Sequence, residues 1–191
     1  MMSTTQSPSL IARFAELVQP VLELPLVRRT RRNHGLEHAT IHILSGRIRG
    51  LQMAGRSDQT GFILIGEAPT EQIEWAAHEA LRRMRSGEHN LAVHPNCGTN
   101  LVTTGLLAAL VSSLGMAGAS RREVWNRLPL ITSLIMIVLV FGQPLGNSLQ
   151  KHLTTDGDPA DLEILGITRS QMRFPWNQTP VTVHRVRTQS V

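Results

Sequence analysis

The sequence contains no tyrosine, one cysteine and one lysine, and only 4% of its 191 residues are aromatic. Each shortage removes a class of function. Cys97, being alone, forms no intramolecular disulfide, so the fold requires no oxidising compartment. Because Lys151 is the single lysine, the formal charge of +5 is carried almost wholly by arginine. A basic chain invites a nucleic-acid reading, but few rings are present to stack bases, and there is no helix-turn-helix, zinc-finger or RNA-binding signature. No nucleic-acid partner is therefore expected. Met1 to Pro8 is polar, and the apolar positions after it are interrupted by Arg13 and Glu16, so no cleavable targeting segment is expected.

Charge is also missing locally. Gly98 to Ser120 and Leu128 to Gln150 carry no charged residue, and each is long enough to cross a hydrocarbon core of about 30 Å as a helix. A domain this small would struggle to wrap two uninterrupted apolar helices, so transmembrane spans are expected rather than buried core helices. Gly105 and Ala109, four residues apart, are the expected point of close helix approach. Arginines gather beside apolar segments, at Arg28, Arg29, Arg31 and Arg32 and at Arg121, Arg122 and Arg127, where anionic headgroups attract them; Trp125 and Trp176 suit membrane interfaces. Membrane lipid is the expected partner, and the residues specify no protein partner. The three connector arginines would place the connector in the cytoplasm. Against that stand the difficulty of exporting nearly a hundred residues without a signal and the preference of a lone thiol for a reducing compartment. The expectation is a multi-pass integral membrane protein with both termini cytoplasmic.

What is present has the pattern of a small α+β domain. Helical spacing of Leu10, Ile11, Phe14, Leu17, Val18 and Val21 predicts an amphipathic helix from Ser9 to about Leu24, bent or ended by Pro20, followed by the arginine cluster. A second helix is predicted over Asn33 to Leu44, closed by Ser45 and Gly46. Short strands follow at Leu51 to Met53 and Gly61 to Ile65, with a turn around Arg56, Ser57 and Asp58. Then come a helix from Pro69 and Thr70 to Gly87 and a strand at Leu91 to Val93. Alternating Val181, Val183 and Val186 predict a terminal strand over Pro180 to Val186 that joins the sheet. The expected organisation is an interfacial helix and basic cluster over residues 1–32, a helix-plus-mixed-sheet domain over 33–97, a two-helix transmembrane hairpin over 98–150 and a short carboxy-terminal segment over 151–191.

Chemistry concentrates in His34-Gly35-Leu36-Glu37-His38. On a helix, His34 and His38 stand one turn apart on one face with Glu37 beside them, so two imidazoles can grip one ion. In the inverted zincin arrangement the histidines bind Zn²⁺ and the glutamate takes a proton from the water that the ion acidifies. His42 continues the same face and reads as a polar surface residue, the lesser alternatives being an added ligand or a group that supports one. Downstream, His94-Pro95-Asn96-Cys97-Gly98 places an imidazole and the only thiol three apart in a turn, a donor pair that suits zinc. His34, His38, His94 and Cys97 are thus the candidate ligands and Glu37 the candidate general base. His78, Glu79, Glu88 and His89 lie nearby in sequence and read as a solvated face.

The strings HGLEHATIH, HPNCGTN and LQKHLTTDGDPADLEILGI, in that order across Asn33 to Ile167, together resemble a family of uncharacterised bacterial membrane proteins. Its members are described as predicted metal-dependent enzymes. The resemblance implies roles for His34, Glu37, His38, His94 and Cys97, and for Thr154, Thr155, Asp158 and Glu163 in the distal segment. This chain lacks spans that longer relatives carry before the first motif. The distal segment is expected to fold back towards the metal at the membrane surface, or simply to cap a short turn before Leu162 and Ile164. Two functions are expected to compete: a zinc-dependent hydrolase acting at the membrane surface, and a non-enzymatic membrane protein whose closed metal site supports a scaffold or a lipid- or partner-binding module.

Overall fold

The computed structural model describes residues 9–174 and 177–190, so Trp176 lies outside the described residues. The chain divides into two compact units, Met1–His94 together with Lys151–Val191, and Pro95–Gln150.

The first unit opens with α1 (Leu10–Leu17) and α2 (Gln19–Leu22) in place of one continuous amphipathic helix. The Ser9 hydroxyl accepts from the Ala12 amide at 3.2 Å and starts α1. The break falls at Val18, because Pro20 in the first turn of α2 has no amide to extend the preceding ladder. Helix α3 (Pro25–Arg47) is longer than expected at both ends. It begins before Asn33 because Pro25 suits a first helical turn and arginine is a good helix former. It also runs through Gly46, which does not adopt the left-handed backbone of a helix terminator.

Strand β1 (Ala54–Asp58) occupies the positions expected to turn, and pairs antiparallel with β2 (Gly61–Ile65). The turn is instead Gln59 and Thr60. The Asp58 carboxylate accepts from both the amide and the hydroxyl of Thr60 at 2.7 Å, and Gly61 follows with φ of 136°. Helix α4 (Thr70–Arg85) forms as its apolar stripe predicts, and Gly87 leaves it at φ 100°. No strand forms at Leu91 to Val93. His89–Ala92 is a 3₁₀ turn, since the Leu91 and Val93 amides find the Glu88 and Asn90 carbonyls locally.

The carboxy-terminal segment is no appendage. It supplies β3 (Glu163–Phe174) and β4 (Asn177–Gln189), the latter containing the expected terminal strand. The four-stranded sheet is antiparallel throughout, in the order β1-β2-β4-β3, and not mixed. A tight turn joins β1 to β2, and a hairpin can only make antiparallel neighbours. Leu36, Leu44, Phe62, Leu64, Ile73, Met84, Leu162 and Val186 form the buried core between α3, α4 and the sheet.

In the second unit, α5 (Gly98–Met116) and α6 (Arg121–Leu149) are both long and apolar enough to cross a membrane. They are not core helices: only 6% and 11% of their most apolar windows are buried within the chain. The connector Arg121 to Arg127 is the first part of α6, opened by Ser120 and Glu123 capping one another. Close approach between the helices occurs away from Gly105, which has open space around it. It occurs at Gly115, Gly142 and Gly146, where an added Cβ would lie 2.6 Å from Ile131 Cγ1, 2.5 Å from Thr104 Oγ1 and 2.1 Å from Asn100 Oδ1. A π-helical turn, Gln150–Thr154, carries the chain from the end of α6 back into the first unit.

Candidate metal centre

Helix α3 carries His34, Glu37, His38 and His42 on adjoining turns, and the loop after α4 brings His94 to them. The rings form a row. Centroids are 4.4 Å apart for His34 and His38, 5.8 Å for His38 and His94, and 4.6 Å for His94 and His42. Backbone carbonyls fix the tautomers on α3, because a carbonyl can only accept. His34 Nδ1 meets Thr154 O at 2.9 Å, and His38 Nδ1 meets Ala92 O at 2.7 Å. Each therefore donates from Nδ1 and keeps its Nε2 lone pair, the arrangement that orients an imidazole for metal binding. His42 donates the other way, from Nε2 to Val93 O at 2.8 Å, which leaves Nδ1 as its basic atom. Burial pushes His94 down to about 4, with the neighbouring His42 and His38 acting in the same direction, so at neutral pH it is an uncharged potential donor.

Glu37 is 3% exposed. Its carboxylate accepts a short hydrogen bond from the Ser57 hydroxyl of β1 and lies over the backbone of Gly55, where an added Cβ would sit 2.0 Å from Oε1. Only glycine at position 55 leaves that place open. Burial raises the Glu37 carboxyl above its ordinary value, opposed by the Ser57 bond and by nearby His34.

The distal segment does return to this helix. Besides accepting from His34 through Thr154, it donates the Asp156 amide to Arg31 O at 3.0 Å, while Arg31 donates to Thr155 O at 3.1 Å. Arg32 pairs with Asp161 at 2.8 Å. The glycine of the first motif permits this contact, because a Cβ on Gly35 would lie 2.2 Å from Asp156 O. Asp158 holds the local turn by accepting from the Ala160 amide at 2.9 Å, and Glu163 accepts from Gln189 across the sheet at 3.1 Å, so neither joins the histidine row. Glu79 and Glu88 are spent on Arg82 and Arg83, and His78 and His89 are exposed.

A profile of the family described as "Domain of unknown function (DUF6391)" matches residues 29–167. The chain belongs to this family. It is also 31% identical over 160 residues to an uncharacterized protein of Picosynechococcus sp., a match covering 79% of this chain and 76% of the relative. No solved structure matches it.

The DUF6391 span runs from Arg29 in α3 to Ile167 in β3, so it encloses the whole histidine row, Glu37 and the returning segment. It also encloses Cys97, the buried N-cap of α5, whose sulfur accepts from the Thr99 amide at 3.4 Å. Cys97 follows His94 by three residues, a tether of no more than about 11 Å. His34 and His38, two imidazoles one turn apart on α3, are donors that could hold a metal ion. Sequence reasoning assigned no function to His42, Ser57, Gly35 or Gly55. His42 carried a signal, its i+4 spacing from His38. Ser57 and Gly55 carried none, because a strand read as a turn gives no reason to look for a partner to Glu37.

Proposed function

We propose that this DUF6391 protein is a membrane-anchored, metal-dependent hydrolase. His34 and His38 bind Zn²⁺ through Nε2, Cys97 or His94 completes the site, and Glu37 serves as general base. The observation that carries the reading is the pair of α3 imidazoles, each donating Nδ1–H to a backbone carbonyl and so presenting Nε2 to one ion. The ion would supply an acidified water, and Glu37, beside His34 and His38 in the sequence of the helix, would take its proton. The apolar surfaces of α5 and α6 support insertion as a transmembrane hairpin; both termini then lie on one side, the cytoplasmic one, and the reaction proceeds at the membrane surface. The substrate is a hydrolysable bond of a class the donor set does not restrict.

The burial of Glu37 under Ser57 and Gly55 favours a second reading, a closed structural site in a non-enzymatic scaffold. Chelation separates the two. In the hydrolase, stripping the metal abolishes turnover of fluorogenic peptide and ester panels while the helical signal survives, and Glu37→Gln keeps the metal but loses activity by about 100-fold or more. Unfolding on chelation, with Glu37→Gln indistinguishable from wild type, would establish the scaffold instead.

A further inference from the structure

Within the first unit, the carboxy-terminal half of α3 and the middle of α4 leave an open groove of about 570 Å³ between them. Among the described residues its lining mixes apolar Ile43, Leu91 and Trp75 with basic His42, Arg47 and Arg83, and contains no carboxylate. The two arginines are not equivalent. Arg83 is taken by Glu88, to which its Nε donates at 2.9 Å, whereas Arg47 meets no acidic partner among the described residues. Its guanidinium carbon lies 4.3 Å from the centre of the Trp75 ring, and Trp75 is itself 45% exposed. A guanidinium stacked on a ring keeps the N–H groups of its rim available to a planar anion. The dipole of α3 accounts for a cation in its last turn, but it does not call for the exposed ring that holds this one in place.

The groove continues the histidine row. His34, His38, His42 and Gly46 follow one another at four-residue spacing along α3 and so share a face. His42 belongs to both features, since it lines the groove and its ring centre lies 4.6 Å from that of His94. At Gly46 an added Cβ would meet nothing within 4 Å, so the face opens there. Arg47 follows His38 by nine residues, about 13 Å along the helix axis. An extended peptide covers that distance in about four residues. We propose that the groove is the specificity subsite of the metal centre and selects peptides bearing a carboxylate about four residues from the bond that is cut. Arg47 takes the carboxylate through two parallel N–H bonds, and Ile43, Leu91 and Trp75 take the apolar side chains between. A phospholipid fits less well, because its phosphate stands beside its ester bonds and not four residues' length away. This inference rests on the hydrolase reading above.

Its test uses the full chain, purified in detergent and loaded with zinc. Calorimetric titration compares a blocked seven-residue peptide of alanine and leucine carrying one aspartate with its asparagine twin. The aspartate peptide should bind about 10-fold more tightly or better. Arg47→Gln should abolish that difference, and Arg47→Lys, which keeps the charge without the fork, should restore only part of it. Arg47 is exposed, so both variants should melt with the wild type. Moving the aspartate along the peptide should move the cut with it. Equal affinity for the twins, or a difference that survives Arg47→Gln, would overturn the inference. Binding of dihexanoyl phosphatidylglycerol that depends on Arg47, with both peptides silent, would overturn it in favour of a lipid headgroup. Discrimination through Arg47 with no cleavage by the zinc-loaded protein would instead overturn the hydrolase reading and leave the groove as a site for acidic peptides.

Discussion

At the scale of single residues, two glycines of one helix make opposite predictions. Gly35 faces the returning backbone, where a methyl group would overlap Asp156 O, so Gly35→Ala should destabilise the first unit by about 1–3 kcal/mol and weaken the His34 bond to Thr154. Gly46 sits in the same helix with nothing within 4 Å of an added Cβ, so Gly46→Ala should stabilise by about 0.5–1 kcal/mol. Thermal unfolding of the pair, followed by circular dichroism, checks both signs at once. His184 makes a third prediction. It is fully buried on β4 beside Thr70, and burial, aided by the charge of Arg169 and opposed by Glu67, pushes it below its ordinary value. The unfolded chain therefore binds more protons than the folded one below about pH 6.5, so the stability His184 contributes is present above that pH and lost as pH falls. Melting temperatures of metal-free protein should drop between about pH 7 and 5, and His184→Gln should drop less. An equal drop in both would remove His184 as the cause.

At the scale of elements, the legible features were those with an unbroken period or a terminating residue. Helix α4, with its stripe from Ile73 to Met84 and Gly87 after it, and strand β2, a continuous apolar run, fall where the sequence places them. Strand β3 was not legible because register shifts at Ile164/Gly166 and Met172/Phe174 break the two-residue alternation that marks a strand. Strand β1 was missed because its residues, Ala54 to Asp58, are nearly all exposed and carry no apolar face. The candidate site followed the same rule: the helix spacing of His34 and His38 was readable, but the carbonyls of Ala92 and Thr154 that orient them are backbone atoms with no signature. Strand β2 pairs on one side with β4, and Val186 of β4 fills the core, so deleting residues 163–191 leaves β2 as an open edge. The truncated chain should be recovered only as protease-sensitive or aggregated material; a protease-resistant monomer would contradict the role assigned to the carboxy-terminal strands.

At the scale of the whole molecule, one unit is inserted into the sequence of the other: the chain leaves the first unit after His94 and re-enters it at Lys151. The apolar faces of the inserted helices, including Leu101, Leu106, Leu130 and Phe141, are exposed in the protein alone. Alkaline carbonate washing should therefore leave the protein in the membrane pellet, and release into the supernatant would contradict insertion. His94, the last residue before the departure, and Thr154, just after the return, both contribute to the histidine row of the proposed metal centre. Elemental mass spectrometry of the detergent-purified protein, beside His38→Ala and Cys97→Ala variants, tests it directly. About one equivalent of zinc in the wild type, lost in both variants, is the expected result; wild-type protein free of metal after careful purification would contradict the proposed centre.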